Sequence, residues 1–334
     1  MLVSVIIPVY NAVGFVTQAV ESALEQPETG EVILVEDGSP DNCLTICQEL
    51  VEKDNKVRLL RHPHGRNKGA AASRNLGMKS ARFDYIAFLD ADDYYLPERF
   101  SVTKKVFQDD PACDGVYELF EPKFDSEEAE ERWKLARKPN LNRQSNASVS
   151  PEDLAVALIN GEVSNFHMDG LVIKKAALKK SGLMNTSLTT GEDTDFEIKL
   201  ALTSKLLPGS DKPVVVYRFH DHNQFTAYRS STKIGKQRIE LWTSLYRWSK
   251  HNSTNTFQEL SINKLIGFIT KTRIIERFPS RFFSNNLLSR NRLILFLLSH
   301  PYILREAIFR KSILHPDCLI ATQGNPKRIN PLNK

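Results

Sequence analysis

The segment DYIAFLDADDYYLP (84–97) sets three carboxylates, Asp90, Asp92 and Asp93, directly after an apolar run. YIAFL has the length and composition of a core strand. No Lys or Arg stands between Arg82 and Arg99 to neutralise the three acids. Asp is a common turn residue, so a solvated turn is one reading. The other is a positive partner from outside the sequence, most simply a divalent cation held by oxygen ligands.

The flanking sequence fixes what kind of strand this is. VSVIIPVY (3–10) is a continuous β-branched run, the pattern of a strand buried on both faces. Asn11 is a good helix N-cap, and Phe15, Val16, Ala19, Val20, Ala23 and Leu24 then recur at helical spacing. A second strand is expected over 31–36. A helix should follow, with Ser39 as N-cap, Pro40 at its first position and an end near Lys53. VRLLRH (57–62) predicts a third strand, GAAASRNLGMKSA (69–81) a small-residue helix, and 84–90 a fourth strand. This rhythm means a mostly parallel sheet with helices on both faces, an α/β fold whose strand C-termini share one edge. Ligands bind at that edge.

After Pro97 a helix to about Gln108 and a strand over 114–120 continue the pattern. Residues 123–150 are polar, an acidic block followed by a basic one, and read as an excursion or mobile connection. A helix near 151–160, a strand near 169–174, helices near 175–181 and 194–204 and a strand over 214–219 come next. From about 233 the chain reads as helical. The expected division is 1–232, split near residue 120 into two halves, and a helical, basic C-terminal extension over 233–334.

The chain has 334 residues, 41% hydrophobic and 25% charged, an ordinary globular composition. Its net charge of +5 is unevenly placed. From residue 250 onward 14 Lys and Arg face 4 Asp and Glu, so the preceding part is net acidic. Such a tail suits an anionic membrane surface, or it is simply solvated. It carries no recognisable nucleic-acid module, and no nucleic acid is expected. Cys43, Cys47, Cys113 and Cys318 offer neither a disulfide framework nor zinc spacing and are expected reduced. The start reads as a strand rather than a signal peptide, and no run reaches the roughly 18 to 20 apolar residues of a membrane span. The expected location is the cytoplasm, with peripheral contact at the membrane's cytoplasmic face as one reading of the tail.

Four polar clusters fall at strand ends or helix starts: EDGSPD (36–41), NKGAAASRN (67–75), DADD (90–93) and GEDTDF (191–196). Each alone is an ordinary turn; three at the C-terminal ends of successive parallel strands converge in space. With SVIIPVYN (4–11), their order resembles the glycosyltransferase family 2 enzymes over residues 1 to about 225. The resemblance implies an inverting transferase with the A-type glycosyltransferase fold, a Rossmann-like nucleotide-diphospho-sugar transferase fold. It implies a nucleotide-sugar donor, most simply a UDP-sugar, and a saccharide or lipid-linked acceptor. It further implies a Mn²⁺ or Mg²⁺ cofactor and a place in polysaccharide or glycoconjugate synthesis.

By that resemblance Asp92 is the metal ligand and Asp90 lies against the ribose or the metal shell. Asp93 is either a supporting acid or the start of the next turn. Asp37 is expected to hydrogen-bond the nucleobase over a floor of Pro8, Val9 and Tyr10, while Glu36 receives no role. Gly69 permits close backbone approach. Arg74 reaches the base or phosphates, or is a surface helix residue. In the ED motif Asp193 is expected to be the general base, with Glu192 the second choice, and Asp195 a helix-start acid favoured by the dipole. In YRFHDHN (217–223) Arg218 is placed near the phosphates, and His220 either completes the metal site or is structural. Asp169 is placed on the acceptor side. Two rivals stand. A sugar-phosphate nucleotidyltransferase should carry a Gly- and Arg-rich loop after the first strand, where this chain has PVYNAVGF. A non-catalytic nucleotide-sugar-binding relic should have lost Asp92 or the ED pair.

Overall fold

The odd-numbered side chains of the first strand, β1 (Val3–Val9), join one buried core with α1 (Val16–Leu24) and α2 (Cys43–Lys53). Ile6, on the opposite face, packs on Gly77 of α3 (Ala70–Ser80), where a Cβ would stand 2.4 Å from Ile6. One strand thus buries both faces through its period of two, as its unbroken apolar run predicts. In this computed structural model residues 1–136, 149–220, 231–252, 261 and 264 are described. The chain divides into two compact units, Met1–Ile269 and Thr270–Lys334, and every described residue belongs to the first.

The remaining strands are β2 (Thr29–Glu36), β3 (Val57–Arg61), β4 (Tyr85–Phe88), β5 (Tyr94–Tyr95), β6 (Gly115–Phe124), β7 (Leu171–Lys174) and β8 (Leu206–Phe219). They form a mixed eight-stranded sheet in the order β3-β2-β1-β4-β7-β6-β8-β5. β1, β2, β3 and β4 pair in parallel, as do β6 and β8. β7 runs antiparallel between β4 and β6, and β5 antiparallel to β8. The helices after α3 are α4 (Ser101–Asp109), α5 (Glu127–Ala136), α6 (Leu154–Asn160), α7 (Leu178–Ser181), α8 (Glu192–Thr203) and α9 (Ser231–Asn252).

Three local expectations are corrected. Asn11 does not cap α1: it takes a left-handed turn (φ 53°) and the helix begins five residues later, after Phe15. Ser39 and Pro40 stay in the preceding turn, and α2 starts at Cys43, whose N–H donates to the Asp41 carboxylate. The segment expected to be a polar excursion contains the end of β6 and all of α5. There Trp133 packs on Phe124 and Phe219, which offsets the polarity of its helix.

α9 belongs to the first unit, with Leu241, Trp242, Leu245 and Tyr246 buried. Ser244 donates to Asp195, which also pairs with Lys199. Asp195, in the first turn of α8, is therefore also a buried tie between α8 and α9. Cys43, Cys47 and Cys113 are buried free thiols; burial pushes them up to about 11, 12 and 11, so all three are inert. Cys318 and nearly all of the basic tail lie outside the described residues. Among the described residues no helix is long and apolar enough to cross a membrane.

Gly170, just before β7, tests this packing. A Cβ there would stand 2.3 Å from the Glu118 carbonyl oxygen of β6, a backbone atom that cannot swing aside. Gly170→Ala should destabilise the protein by about 1–3 kcal/mol, read as a lowered midpoint in a thermal melt. An unchanged midpoint would mean that β6 and β7 are more loosely joined than their register requires.

Candidate active site

Strand register builds the site. β4 pairs antiparallel with β7, Tyr85 opposite Lys174 and Ala87 opposite Val172. The residues leaving β4 therefore meet those entering β7, and Asp90 N–H donates to Asp169 Oδ1 at 3.0 Å. β5 pairs with β8, Tyr94 opposite Val216, which carries the DADD turn to the end of β8. There Arg218 N–H donates to Asp93 Oδ1 (2.8 Å), the Arg218 guanidinium to the Asp92 carbonyl (2.7 Å), and His220 Nε2 lies 3.0 Å from Asp92 Oδ2. The antiparallel strands β5 and β7 thus bring HMDG and YRFH to DADD.

Asp90 is also bound by Arg74, which projects from α3 and is 5% exposed. Burial raises the Asp90 pKa, but the Arg74 and His167 charges outweigh it and hold the carboxyl below its ordinary value. Arg74 is not a surface residue. Burial disfavours its charge, and Asp90, Glu192 and Asp169 around it reverse that effect and strengthen it. Asp93 is fully buried, and burial together with the Asp169 and Asp92 carboxylates pushes its carboxyl well above the usual range. Its burial rules out the reading that it merely starts an exposed turn. Burial and Asp90 push Asp169 up to about 6.

The ED motif forms the first turn of α8 after Gly191, which takes a left-handed conformation. Asp193 is exposed and accepts from Thr194 N–H at 2.7 Å. Glu192 is half-buried; burial and Asp193 raise its pKa, while Arg74 draws it down. Of the pair, Glu192 is the one coupled to both Arg74 and Asp90. The floor formed by Pro8, Val9 and Tyr10 lies at the end of β1, where Tyr10 is 51% exposed and Val9 C=O accepts from Asp37 N–H. Asp37 itself is buried, and its two oxygens accept from Lys68 N–H (2.7 Å) and Gly69 N–H (2.8 Å). Its carboxylate therefore holds the 68–69 loop, and only a second lone pair on each oxygen is left for a base. Gly69 has φ 87° with open space around it, so the backbone turn, not crowding, calls for glycine. Glu36, given no role from sequence, pairs with Arg61 at 2.7 Å.

Some expected metal residues meet and others separate. Asp92 meets His220, whose ring stacks on Phe15 at 5.0 Å. Asp90 instead groups with Asp93, His167 and Asp169, whose ligand atoms all lie within 4.8 Å of one another. Sequence reasoning missed His167 altogether, as well as Arg99 and Glu118. The signal for His167 was the acid two residues on, in HMDG just before a strand. Carboxylate oxygens with one or two imidazoles are a donor set that fits a hard divalent cation, and the side-chain oxygens Asp93 Oδ2 and Asp169 Oδ2 are buried without a hydrogen-bond partner.

The profile of the glycosyl transferase family 2 matches residues 4–178, more than half of the chain, from β1 through β7 but not β8. The chain belongs to glycosyltransferase family 2. A glycosyltransferase of Haemophilus influenzae is 44% identical over 94 residues, 28% of this chain and 37% of that protein. One from Rickettsia bellii is 26% identical over 275 residues, 82% of this chain and 36% of the relative. The chain thus spans little more than a third of either relative's length. The crystal structure of S. aureus TarS 1–349 in complex with UDP-GlcNAc superimposes with a TM-score of 0.58 at 20% identity, covering 87% of this chain and 78% of that one. The family 2 chain therefore has the A-type glycosyltransferase fold.

Beneath the site Arg99 and Glu118, both fully buried at their side chains, form an ion pair. Glu118→Leu would leave the Arg99 charge sealed and unpaired, and should cost about 3–5 kcal/mol in urea denaturation. A loss below about 1 kcal/mol would show that Arg99 finds another partner, a cost typical of ordinary substitutions.

Proposed function

We propose that the protein transfers a sugar, with inversion, from a UDP-sugar to an acceptor hydroxyl, using a divalent cation and a carboxylate base. The observation that carries this reading is the convergence at one sheet edge of DADD, Arg74, the ED turn and the YRFH strand end, linked through Arg74 to both Asp90 and Glu192. The TarS complexes with UDP and UDP-GlcNAc, on the same fold, support a uridine donor.

In this reading the base lies on Pro8, Val9 and Tyr10 beside Asp37 and the Gly69 turn, and the ribose lies against Asp90. Arg74 and Arg218 stand at the pyrophosphate, and Asp92, with Asp90 and His220, holds a Mn²⁺ or Mg²⁺. That cation, when bound, supplies Lewis-acid neutralisation of the departing nucleoside diphosphate. Asp193 takes the proton of the attacking acceptor hydroxyl; it sits exposed in the first turn of α8. Glu192, the more buried of the pair, is the alternative base. A saccharide or lipid-linked acceptor would bind on the half beyond residue 120, and the basic tail would rest on an anionic membrane surface.

Two measurements test this. Calorimetry should show UDP binding tightened by Mn²⁺ in the wild type and not in Asp92→Ala; equal UDP affinity with Mn²⁺ and with EDTA sinks the metal assignment. Asp193→Asn should slow transfer by about 10²- to 10⁴-fold, the usual worth of general-base help, at nearly unchanged UDP affinity. Normal transfer in that variant moves the base to Glu192. Normal transfer in Glu192→Gln as well removes the ED turn from the chemistry.

A further inference from the structure

Asp93 and Asp169 come from opposite halves of the fold, and both are 0% exposed. One oxygen of each is spent on the backbone: Asp93 Oδ1 accepts from Arg218 N–H, and Asp169 Oδ1 from Asp90 N–H. The other oxygen of each, Oδ2, is sealed from solvent and receives no N–H or O–H from another residue, and the two carboxyls lie close enough to share a proton when no cation is bound. A buried carboxylate oxygen without a partner is costly.

The neighbouring guanidiniums make hydrogen bonds to other groups, although Arg74 also acts on Asp169 through its charge. The Arg74 guanidinium binds Asp90, that of Arg99 binds Glu118 and the Asp169 carbonyl, and that of Arg218 binds the Asp92 carbonyl and Gln18. Facing Asp169 Oδ2 is His167, whose Nδ1 lies 3.6 Å from it and accepts from Asp169 N–H at 3.4 Å, which leaves Nε2 as its free ring nitrogen. The ring is fixed between Tyr217 at 4.5 Å and Phe120 at 5.2 Å between centroids, so the imidazole is already held in place.

We infer that Asp93, Asp169 and His167 form a second divalent-cation seat behind the donor site, beside the Asp92–His220 pair and sharing Asp90 with it. Among the described residues these four are the group whose ligand atoms come within 4.8 Å of one another. Opposite ligands stand about 4.2 Å apart across Mg²⁺ and about 4.6–5.2 Å across Ca²⁺, the range in which the spacing of these atoms falls. Three carboxylates with one imidazole suit Mn²⁺, which accepts both donors. An ion here would bridge the DADD turn and the HMDG turn, fixing the acceptor half against the donor half. The seat rests on the transferase reading only for that consequence; the binding itself requires no nucleotide.

The test titrates the full chain with Mn²⁺ alone, counting free Mn²⁺ by electron paramagnetic resonance, and repeats the titration with UDP. The wild type should bind one Mn²⁺ without nucleotide and a second with UDP. Asp169→Asn, which keeps the oxygen that accepts from Asp90 N–H, should weaken the nucleotide-free ion at least about tenfold. His167→Ala should weaken the same ion, and it serves as the reading if Asp169→Asn does not fold. Asp92→Ala should spare the nucleotide-free ion and remove the UDP-linked one. No Mn²⁺ bound without nucleotide at millimolar concentration, or binding untouched by both Asp169→Asn and His167→Ala, overturns the seat and leaves a proton shared between Asp93 and Asp169. A wild type that binds the nucleotide-free ion but gains no second ion with UDP would instead count against the donor-site assignment.

Discussion

The Arg99–Glu118 ion pair, fully buried in the floor of the site, is the constraint on which the rest of the structure depends. Arg99 also donates to the Asp169 carbonyl at 2.9 Å and stacks against Tyr95 and Phe100. Glu118 accepts from Thr103 Oγ1 (2.6 Å) and Ser210 N–H (3.0 Å) as well. One pair thus joins the segment after DADD, α4, β6, β8 and the HMDG turn. Gly170 and Gly209 leave the space that Glu118 fills, since a Cβ at either would collide with it. A buried ion pair is poor evidence of net stability, because desolvation of both charges offsets their attraction. What it enforces is geometry: in this arrangement the five segments meet around both charges.

From that anchor the chemistry follows by register. Asp169 is held by its carbonyl to Arg99 and by its carboxylate to Asp90 N–H, so the acidic turn inherits the position of the buried pair. Arg74 then neutralises Asp90 from the other side and faces Glu192 of the ED turn. The site is acidic yet contains fixed cations, so that Asp90 and Arg74 each meet a charge of the opposite sign.

The first four strands and their helices were legible because they are written in local periodicity: VSVIIPV and EVILVE pair side by side with no intervening segment. The order of the later strands was not. β7 enters between β4 and β6 and reverses direction there, a choice made by pairings 54 to 89 residues apart in sequence that no local pattern records. β5 has two residues, too short for any period to show. The DADD and GED clusters could be read as chemistry, and Asp92 and His220 do meet. The burial of Asp93 could not be read, since DADD presents three equal acids and only the pairing of β5 with β8 decides which one turns inward. His167, Arg99 and Glu118 were silent for the same reason: each is an ordinary residue in its own segment, and its role exists only across segments.

The central claim is a single displacement at the anomeric carbon, at the edge where DADD, Arg74 and the ED turn converge. The most direct measurement follows a panel of UDP-sugars by proton NMR with the protein and Mn²⁺, recording the first anomer that appears as each is consumed, before mutarotation. Consumption of at least one donor with the inverted anomer formed first is the predicted result. A first-formed anomer that retains the donor's configuration would contradict the mechanism, and no consumption of any UDP-sugar would contradict the donor assignment.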